Sequence, residues 1–454
     1  MPIFGIIASS NASPYWLTNI YPTDASLLDL NGNMAIDDDG NIYSPYVDDN
    51  GWGAVIKQDS AGNVIWITEI SFPDVNNIIT LSLGYHTAAV LVQYTHTYTG
   101  TSALASGRIC LSPTDGSETF QIKHAPPTSG EMPCAPQVSA DSSFNVYTTG
   151  QINTSNPFTA YLMKSNTGGV PTWCVTYRGP GTGGSNFNSF NDSALASSGN
   201  IYTCGGWSNS SGGTQGIIVK YNSSGTLQWQ RTLTEPSVAA VDSNVYCYAL
   251  EIDSSENVYV IAKATSSSII YLLKYNSAGT LQWQRKITES IAMSHMKLIT
   301  DSSGISYVTY VNATGMIIIK YDASGTIQFQ RLFCLDGSNL DDYNGQRPRF
   351  LKPIIDSANN TFIIGVSVYN GFTGQMEAET VKFPSDGSRT GSILIEGADP
   401  MLYSTYSAAT DATGTLTDAA ATGSVTGTAT ISYTTPTFTV DPYASITNIR
   451  RGKL

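Results

Sequence analysis

Short runs of alternating apolar and polar residues recur along the chain, and turn residues separate them. The run "GIIVKY" leads into an Asn/Ser/Gly turn, and the alternating run "TLQWQR" follows it. Alternation with period two places the aromatic residue on one face of a strand and the Gln and Arg residues on the other. The pattern therefore predicts a β-hairpin whose glycine supplies the positive φ of the turn.

This hairpin is repeated along the chain, with a lysine nine residues and a glycine four residues before an aromatic. The copies run from Lys57 to Trp66, Lys164 to Trp173, Lys220 to Trp229, Lys274 to Trp283 and Lys320 to Phe329. A sixth copy keeps Gly116 and Phe120 but has no lysine. We expect the lysine stems to cover apolar surface while the ammonium groups reach water.

A second signature lies ahead of most of these hairpins, with an acidic residue six positions before an aromatic. The acids are Asp37, Asp141, Asp253, Asp301 and Asp356, and "ASSGNIY" at Ala196 keeps the spacing without the acid. The carboxylate can cap the amides of a tight turn, and the β-branched and aromatic residues that follow favour a strand. The signature predicts a second hairpin in each period.

Two hairpins per period of about fifty residues give four strands, a sheet too small to bury both of its faces. Neighbouring copies must therefore stack, and radial stacking gives a β-propeller. We predict an all-β fold with seven blades, in which the second and seventh copies diverge from the pattern. The structural anchors of the repeat are predicted to be Trp16, Trp66, Phe120, Trp173, Trp229, Trp283 and Phe329. The strand around Trp16 is predicted to close the ring by joining the last blade.

The two ends of the chain differ in amino-acid composition from the repeats. The predicted organisation is an N-terminal arm at 1–15, the propeller at 16–397 and a Thr/Ala/Gly-rich segment at 398–454. Alternation in "TATISYTTPTFTV" predicts a β-rich extension, interpreted as a segment that docks onto a partner or another subunit. A disordered linker is the alternative.

Charge and hydropathy exclude several classes of partner. Lys and Arg total 22 against 35 Asp and Glu, which gives a net charge of -13. Such a charge repels nucleic acid and anionic membrane surfaces. No apolar run approaches the ~20 residues of a membrane span, and the amino terminus does not have the pattern of a signal peptide. We expect synthesis in the cytoplasm without membrane insertion.

Candidate chemistry is sparse. The cysteines, which form no CxxC pair, are Cys110, Cys134, Cys174, Cys204, Cys247 and Cys334. The histidines are His86, His96, His124 and His295. Free buried thiols and structural histidines are the interpretation, because neither a positioned base nor a ligand cluster is evident. No catalytic or cofactor-binding residue is predicted.

The turn "DDDG" is the one place where the sequence suggests a metal. Asp37 and Asp39 are weak candidate ligands for Ca²⁺, but the twelve-residue ligand spacing of an EF-hand loop is missing. A capped turn is the other interpretation. No other cofactor is expected.

The stretches "AIDDDGNIYSPY", "DSSENVYVIAK" and "IIVKYNSSGTLQWQR" together resemble the β-propeller repeat of bacterial secreted and surface proteins. The resemblance covers roughly residues 16 to 397 and implies architecture without chemistry. A second resemblance concerns the ends: "MPIFGIIASS" and the Thr/Gly/Ala-rich tail are similar to tail and other virion proteins of marine and cyanobacterial tailed phages.

These resemblances imply a structural component of a phage virion, in a tail, baseplate or capsid appendage, and not an enzyme. The terminal segments would contact other virion proteins, in a homo-oligomer or in many copies per particle. Surface loops would bind a host receptor such as a glycan, or the role would be purely architectural. The alternative is a bacterial surface or secreted propeller enzyme that acts on glycans at its central channel.

Overall fold

The computed structural model describes most residues between Trp16 and Lys453. They are residues 16–21, 28–29, 32–48, 53–70, 75–98, 104–125, 137–152, 159–178, 188–208, 213–234, 245–264, 269–288, 294–312, 315–335, 349–356, 361–370, 375–386, 391–393, 401–405, 410–413, 417–420, 424–428, 432–434, 440–441 and 448–453. All regular elements in these ranges are β-strands. The same ranges contain no helix long and apolar enough to cross a membrane.

The strands form seven antiparallel sheets, which are the blades of a propeller. The first strand is β1 (Trp16–Tyr21). Blade 1 contains β2 (Leu28–Asp29), β3 (Ala35–Ile36), β4 (Ile42–Asp48), β5 (Gly53–Gln58) and β6 (Val64–Ile70); blade 2 contains β7 (Val75–His86), β8 (Ala89–Tyr98), β9 (Leu104–Leu111) and β10 (Glu118–Ala125). Blade 3 contains β11 (Gln137–Ala140), β12 (Val146–Ile152), β13 (Thr159–Ser165) and β14 (Pro171–Arg178); blade 4 contains β15 (Asn188–Leu195), β16 (Ile201–Ser208), β17 (Thr214–Tyr221) and β18 (Leu227–Thr234). Blade 5 contains β19 (Val245–Ile252), β20 (Val258–Ala264), β21 (Ile269–Tyr275) and β22 (Leu281–Thr288); blade 6 contains β23 (Ser294–Thr300), β24 (Ser306–Asn312), β25 (Gly315–Tyr321) and β26 (Ile327–Leu335). Blade 7 contains β27 (Arg349–Phe350), β28 (Ile354–Asp356), β29 (Thr361–Asn370) and β30 (Gln375–Pro384), and β31 (Gly391–Ile393) follows it.

The prediction of a seven-bladed all-β propeller is confirmed, and the closing strand behaves as predicted. β1 pairs antiparallel with β30, so that the N-terminal strand completes blade 7. Both hairpin turns of a repeat have the expected conformation. In blade 1, Gly40 has φ 78° and Gly62 has φ 82°, as the turns require.

Seven further strands run around the outside of the propeller, and we call them the outer belt. They are β32 (Met401–Thr405), β33 (Thr410–Thr413), β34 (Thr417–Ala420), β35 (Ser424–Thr428), β36 (Ser432–Thr434), β37 (Val440–Asp441) and β38 (Asn448–Lys453). They pair in turn with the fourth strands of blades 6, 5, 4, 3, 2, 1 and 7. The belt thus covers an edge of every blade that would otherwise present unpaired backbone groups. Docking of this segment onto another subunit stays a prediction.

The apolar core is divided among the interfaces between consecutive blades. Between blades 4 and 5, for example, Ile218 and Leu273 belong to one buried cluster, and between blades 7 and 1 Ile363 packs with Ile42. One face of each sheet meets the preceding blade and the other face meets the following blade. Removing one blade would therefore expose two apolar faces.

Polar contacts to the turn of the next blade also fix several of these interfaces. In blade 1, Lys57 Nζ and Trp66 Nε1 donate to the carbonyl of Pro113 in blade 2, at 2.8 and 3.2 Å. The corresponding pairs are Lys220 and Trp229 to Ser277, and Lys274 and Trp283 to Ala323. The expectation that these ammonium groups reach water is wrong, because the next turn covers them: Lys57 is 8% and Lys220 9% exposed.

Substituting Gly279 by Ala should destabilise the protein by about 2 kcal/mol, because Gly279 has φ +76° and an added Cβ would lie 2.7 Å from the ring of Trp229. Gly168→Ala is the control, since its φ is not positive and its Cβ would meet only Asn166 Oδ1 at 3.6 Å. Thermal unfolding of both variants checks this. Equal melting temperatures would contradict the packing described for the turn.

Candidate functional site: the axial cavity

The innermost strands of the blades converge on the propeller axis and enclose a cavity of about 360 Å³. Its apolar lining includes Met34, Leu83, Val138, Ile299 and Ile355, from five blades. Its polar lining includes Asn33, Gln137, Glu251, Thr300, Asp301 and Lys352. A concave site with an apolar lining and a few convergent polar groups is typical of small-ligand pockets, which usually measure ~300–1,000 Å³.

A cluster of charged side chains from different blades lies at this cavity. Lys352 Nζ, from blade 7, lies 2.6 Å from Glu251 Oε1 of blade 5 and 3.3 Å from Asp192 Oδ2 of blade 4. Burial alone would lower the pKa of Lys352, but the two carboxylates raise it above its usual value. Lys352 is therefore held as a cation beside the carboxyl groups of Asp192 and Glu251.

Asp192 is an anchor for this cluster. Its Oδ2 accepts the backbone N–H of Leu250 at 2.9 Å, and its Oδ1 accepts that of Ser193 at 2.9 Å. Asp192 is 5% exposed and does not line the cavity. Its carboxylate is thus held by bonds to backbone and to Lys352, while Glu251 and Lys352 face the cavity.

β-bulges lie in the strands that carry the cluster. The register shifts between Phe190 and Asp192 in β15, between Cys247 and Ala249 in β19, and between Ser294 and Lys297 in β23. A bulge adds one residue to a strand and redirects the side chains beside it. Asp192, Glu251 and Lys297 lie on these bulged strands, so the bulges help to direct their charged side chains towards the propeller axis.

Besides Lys352, two groups at the cluster have perturbed pKa values. Burial raises the pKa of Glu251, and the attraction of Lys352 offsets this only in part. Burial lowers the pKa of Lys297 to about 8, with Asp192 acting against the shift and Lys352 adding to it. Groups that titrate closer to neutrality are typical of sites that bind ligands or transfer protons.

Amide contacts join the remaining blades at the cavity wall. The Asn33 side-chain amide donates to Gln137 Oε1, and the Asn33 carbonyl accepts the N–H of Leu83 at 2.9 Å. Asn33 also forms an isolated bridge with Lys352. These contacts tie blades 1, 2, 3 and 7 together, so the cavity wall is largely preformed.

The proposed calcium ligands lie in a turn outside this cavity. Asp37 Oδ1 accepts the N–H of Asn41 at 2.7 Å and that of Asp39 at 3.1 Å, and its Oδ2 accepts the hydroxyl of Tyr43 at 2.9 Å and lies 3.7 Å from Lys57 Nζ. Asp39 is exposed. The described residues contain no group of three or more His, Cys, Asp or Glu side chains placed to hold a metal ion. Ca²⁺ binding at Asp37 and Asp39 stays a prediction.

The predicted structural anchors lie at the interfaces between blades, away from the axis. Trp66 is 9% exposed, and Phe120, Trp173, Trp229, Trp283 and Phe329 are partly buried or pack against buried clusters. The backbone of Trp16 pairs with blade 7, but its side chain lies outside the described set.

The histidines and cysteines contribute nothing to the cavity where their side chains are described. His86 stacks on Phe144 with ring centroids 4.7 Å apart, and His295 is exposed. Buried free thiols are found at Cys110, Cys174, Cys204 and Cys247. Cys134 and the side chains of His96, His124 and Cys334 lie outside the described set.

Sequence reasoning missed the residues that meet at the axis, namely Asp192, Glu251, Lys297 and Lys352. They stand roughly one repeat apart in the sequence, each on or beside the innermost strand of its own blade. The signal in the sequence is a charged residue at a position of the repeat where the other copies are uncharged. A search for such residues at the repeat interval would have found them.

Comparison with known proteins leaves the function open. No family model matches the sequence, and no curated protein matches it. Similar solved structures include "Crystal structure of polysaccharide lyase Uly1", with 9% identity, TM-score 0.47 and coverage of 79% of this chain and 90% of that chain. "Oligogalacturonate lyase in complex with manganese" has 10% identity, TM-score 0.45 and coverage of 82% of this chain and 97% of that chain. "Structure of Dos1 propeller" has 9% identity, TM-score 0.30 and coverage of 80% of this chain and 69% of that chain. At such identities the likeness concerns the fold alone.

The expectation that the chain is not an enzyme is corrected, because two of these similar structures are lyases by name. That expectation rested on the missing catalytic motif. In a propeller the groups that meet at the axis come from different blades, so they form no compact motif in the sequence. The absence of a motif is therefore no ground for excluding catalysis.

Lys297→Met should remove a pH dependence of stability. The unfolded lysine, with its ordinary pKa of 10.5, binds more protons than the folded one between pH 8 and 10.5, so wild-type stability should gain about 3 kcal/mol across this window. The variant lacks this gain. It should also be the more stable protein at pH 7, because the wild type must bury the charge of Lys297 there. Chemical denaturation at several pH values measures it, with Thr300→Val on the same strand as a control that keeps the wild-type slope. Parallel curves for Lys297→Met and wild type would contradict the assignment.

Proposed function

We propose that the protein is a glycan-binding propeller whose axial cavity accepts a sugar unit, and that it serves as a rigid binding module of a phage particle. The observation that carries the binding function is the cavity itself. Polar groups of separate blades converge there over an apolar lining, and the walls are tied together by side-chain contacts.

The chemistry of the lining fits a polyhydroxylated ligand. Lys352 and the amide of Gln137 offer donors, and Glu251 offers an acceptor, so hydroxyl groups that both donate and accept can be paired. The apolar part of the lining suits the C–H face of a sugar ring. Contacts of both kinds are what a specific, mostly apolar pocket uses to orient its ligand.

Charge favours a neutral sugar. The two lysines and two carboxylates of the cluster cancel when all are ionised, and Asp301 adds a negative charge to the lining. The whole chain carries -13. A strongly anionic ligand would meet repulsion on approach, whereas a neutral one would not.

The proposal is tested with a glycan array of bacterial surface polysaccharides, followed by calorimetric titration of the best ligand. Glu251→Gln keeps the shape of the side chain but removes the charge that holds Lys352, and we expect it to weaken binding at least about tenfold. Glu118→Gln, on the fourth strand of blade 2, is the matched control and should bind like wild type. Unchanged affinity of Glu251→Gln would place the ligand elsewhere, and no ligand on a broad array would contradict the binding function.

A second candidate is an enzyme that acts on glycans at the same cavity. The observation that favours it is that Asp192 and Lys352 lie beside two groups with shifted pKa values, Lys297, whose pKa is lowered to about 8, and Glu251, whose pKa is raised. A lysine of that kind can accept a proton and a protonated carboxyl can donate one. Product formation from the bound glycan in the titration sample, absent in Glu251→Gln, would establish this candidate.

Placement in a particle is supported by the resemblance of the termini to virion proteins and by one feature of the fold. β1 lies between β30 and β38, with Trp16 paired to Lys453. The segment at 1–15, proposed as an attachment arm, therefore joins the propeller at an edge that the outer belt also reaches. A tether at one edge would leave the axial cavity free.

Mass spectrometry of purified phage particles checks this placement. We expect the protein in a fixed stoichiometry with tail, baseplate or capsid proteins, and we expect deletion of residues 1–15 to release it without unfolding the propeller. A gene product found only in culture supernatant or on a bacterial surface would overturn the placement and leave the glycan-binding proposal to its own test.

A further inference from the structure

An arginine is enclosed between blades 2 and 3 where the repeat otherwise places an aliphatic residue. Arg108 lies on β9, four residues before the turn that begins at Ser112, and it is 0% exposed. The residues four positions before the corresponding turns are Val55, Leu162, Ile218, Leu272 and Ile318, all buried. A charge at this position departs from the pattern of the fold.

The arginine has few partners. Its Nη1 donates to Ser165 Oγ in blade 3 at 3.1 Å, and its guanidinium lies 5.8 Å from the ring centroid of Phe120. Among the described residues, its Nε and Nη2 have no hydrogen-bond partner, and no carboxylate forms an ion pair with it. Burial raises the pKa of the neighbouring Cys110 to about 12, so that residue stays a neutral thiol.

Other polar groups of the same interface also have no hydrogen-bond partner among the described residues. Gln93 lies directly opposite Arg108 on β8, and neither atom of its amide is paired. The hydroxyl of Thr95, two residues further on the same face, is also unpaired. From blade 3, Thr148 shares a sheet face with Ser165, as the register of β12 and β13 shows, and its hydroxyl has no partner. All three of these polar side chains are at most 1% exposed.

This arrangement needs a negative charge. A buried ion without a counter-ion is far more costly than a buried neutral group. A water molecule would satisfy hydrogen bonds but would leave the charge of Arg108 uncompensated. A small anion would accept hydrogen bonds from the guanidinium, the amide and the hydroxyls and would neutralise the charge.

We propose that a chloride-sized anion binds between blades 2 and 3, held by Arg108, Gln93, Thr95 and Thr148. The enclosure of all four side chains favours a monatomic anion over phosphate or sulfate. The site also has a place in the repeat. Cys110 stands where other blades have the lysine that bonds to the next turn, so this interface lacks that contact, and the anion would supply a polar link in its place.

The experiment is crystallisation of the full chain in sodium bromide, together with thermal unfolding in sodium chloride and in sodium gluconate at equal ionic strength. We expect an anomalous bromide peak within ~3.5 Å of the Arg108 guanidinium. We expect chloride to raise the melting temperature by about 2 °C over gluconate, because a ligand that binds only the folded state stabilises it. Arg108→Leu, which restores the aliphatic residue of the repeat, should lose this difference, whereas Arg285→Leu in blade 5 should keep it.

Should Arg108→Leu fail to fold, Thr148→Val tests the same site, since it removes one donor without removing the charge and should reduce the chloride effect. A density map with water alone beside Arg108 would overturn the proposal. So would a carboxylate of the chain in that place. Equal chloride effects in wild type and Arg108→Leu would also overturn it.

Discussion

The bond from one blade to the turn of the next is the contact on which this ring depends. A lysine ammonium and an indole N–H converge on a single carbonyl, as Lys57 and Trp66 do on Pro113. Two donors on one acceptor fix both the distance and the rotation between neighbouring sheets. The same turn must hold a glycine, because a Cβ there would meet the indole of the preceding blade. Turn sequence and blade packing are therefore one constraint.

That constraint explains why so much of the architecture could be predicted from the sequence. Lysine, glycine and aromatic recur at fixed spacing because the interface needs all three at once. Ring closure follows the same logic: Lys382 of blade 7 donates to the carbonyl of Ser60 in blade 1, although the sequence around it has diverged. The alternation in the C-terminal segment indicated strands, but alternation alone does not say which edge a strand joins. The reversed order of the outer belt was therefore beyond sequence reasoning.

The axial cavity could not be predicted for a related reason. Repeats reveal what every blade shares, whereas a site at the axis is made from what each blade has differently. Asp192, Glu251 and Lys352 belong to no common motif, and they meet only because the ring brings three innermost strands together. Bulges in these strands, invisible in the hydrophobic pattern, set the final direction of the side chains. The repeat pattern of the sequence therefore does not indicate the residues most relevant to function.

Departures from the repeat can accordingly be interpreted as physical evidence. Where Ser165 stands in blade 3, the equivalent positions of blades 4 and 5 hold Tyr221 and Tyr275, so the long side chain of Arg108 occupies volume that a tyrosine fills elsewhere. Volume compensation alone would be met by a leucine or methionine at no electrostatic cost. The retention of a guanidinium with unpaired nitrogens thus requires a reason beyond packing, and a bound anion provides one. By the same reasoning, closing the ring does not require charged residues at the axis, so their presence there also needs a reason beyond packing.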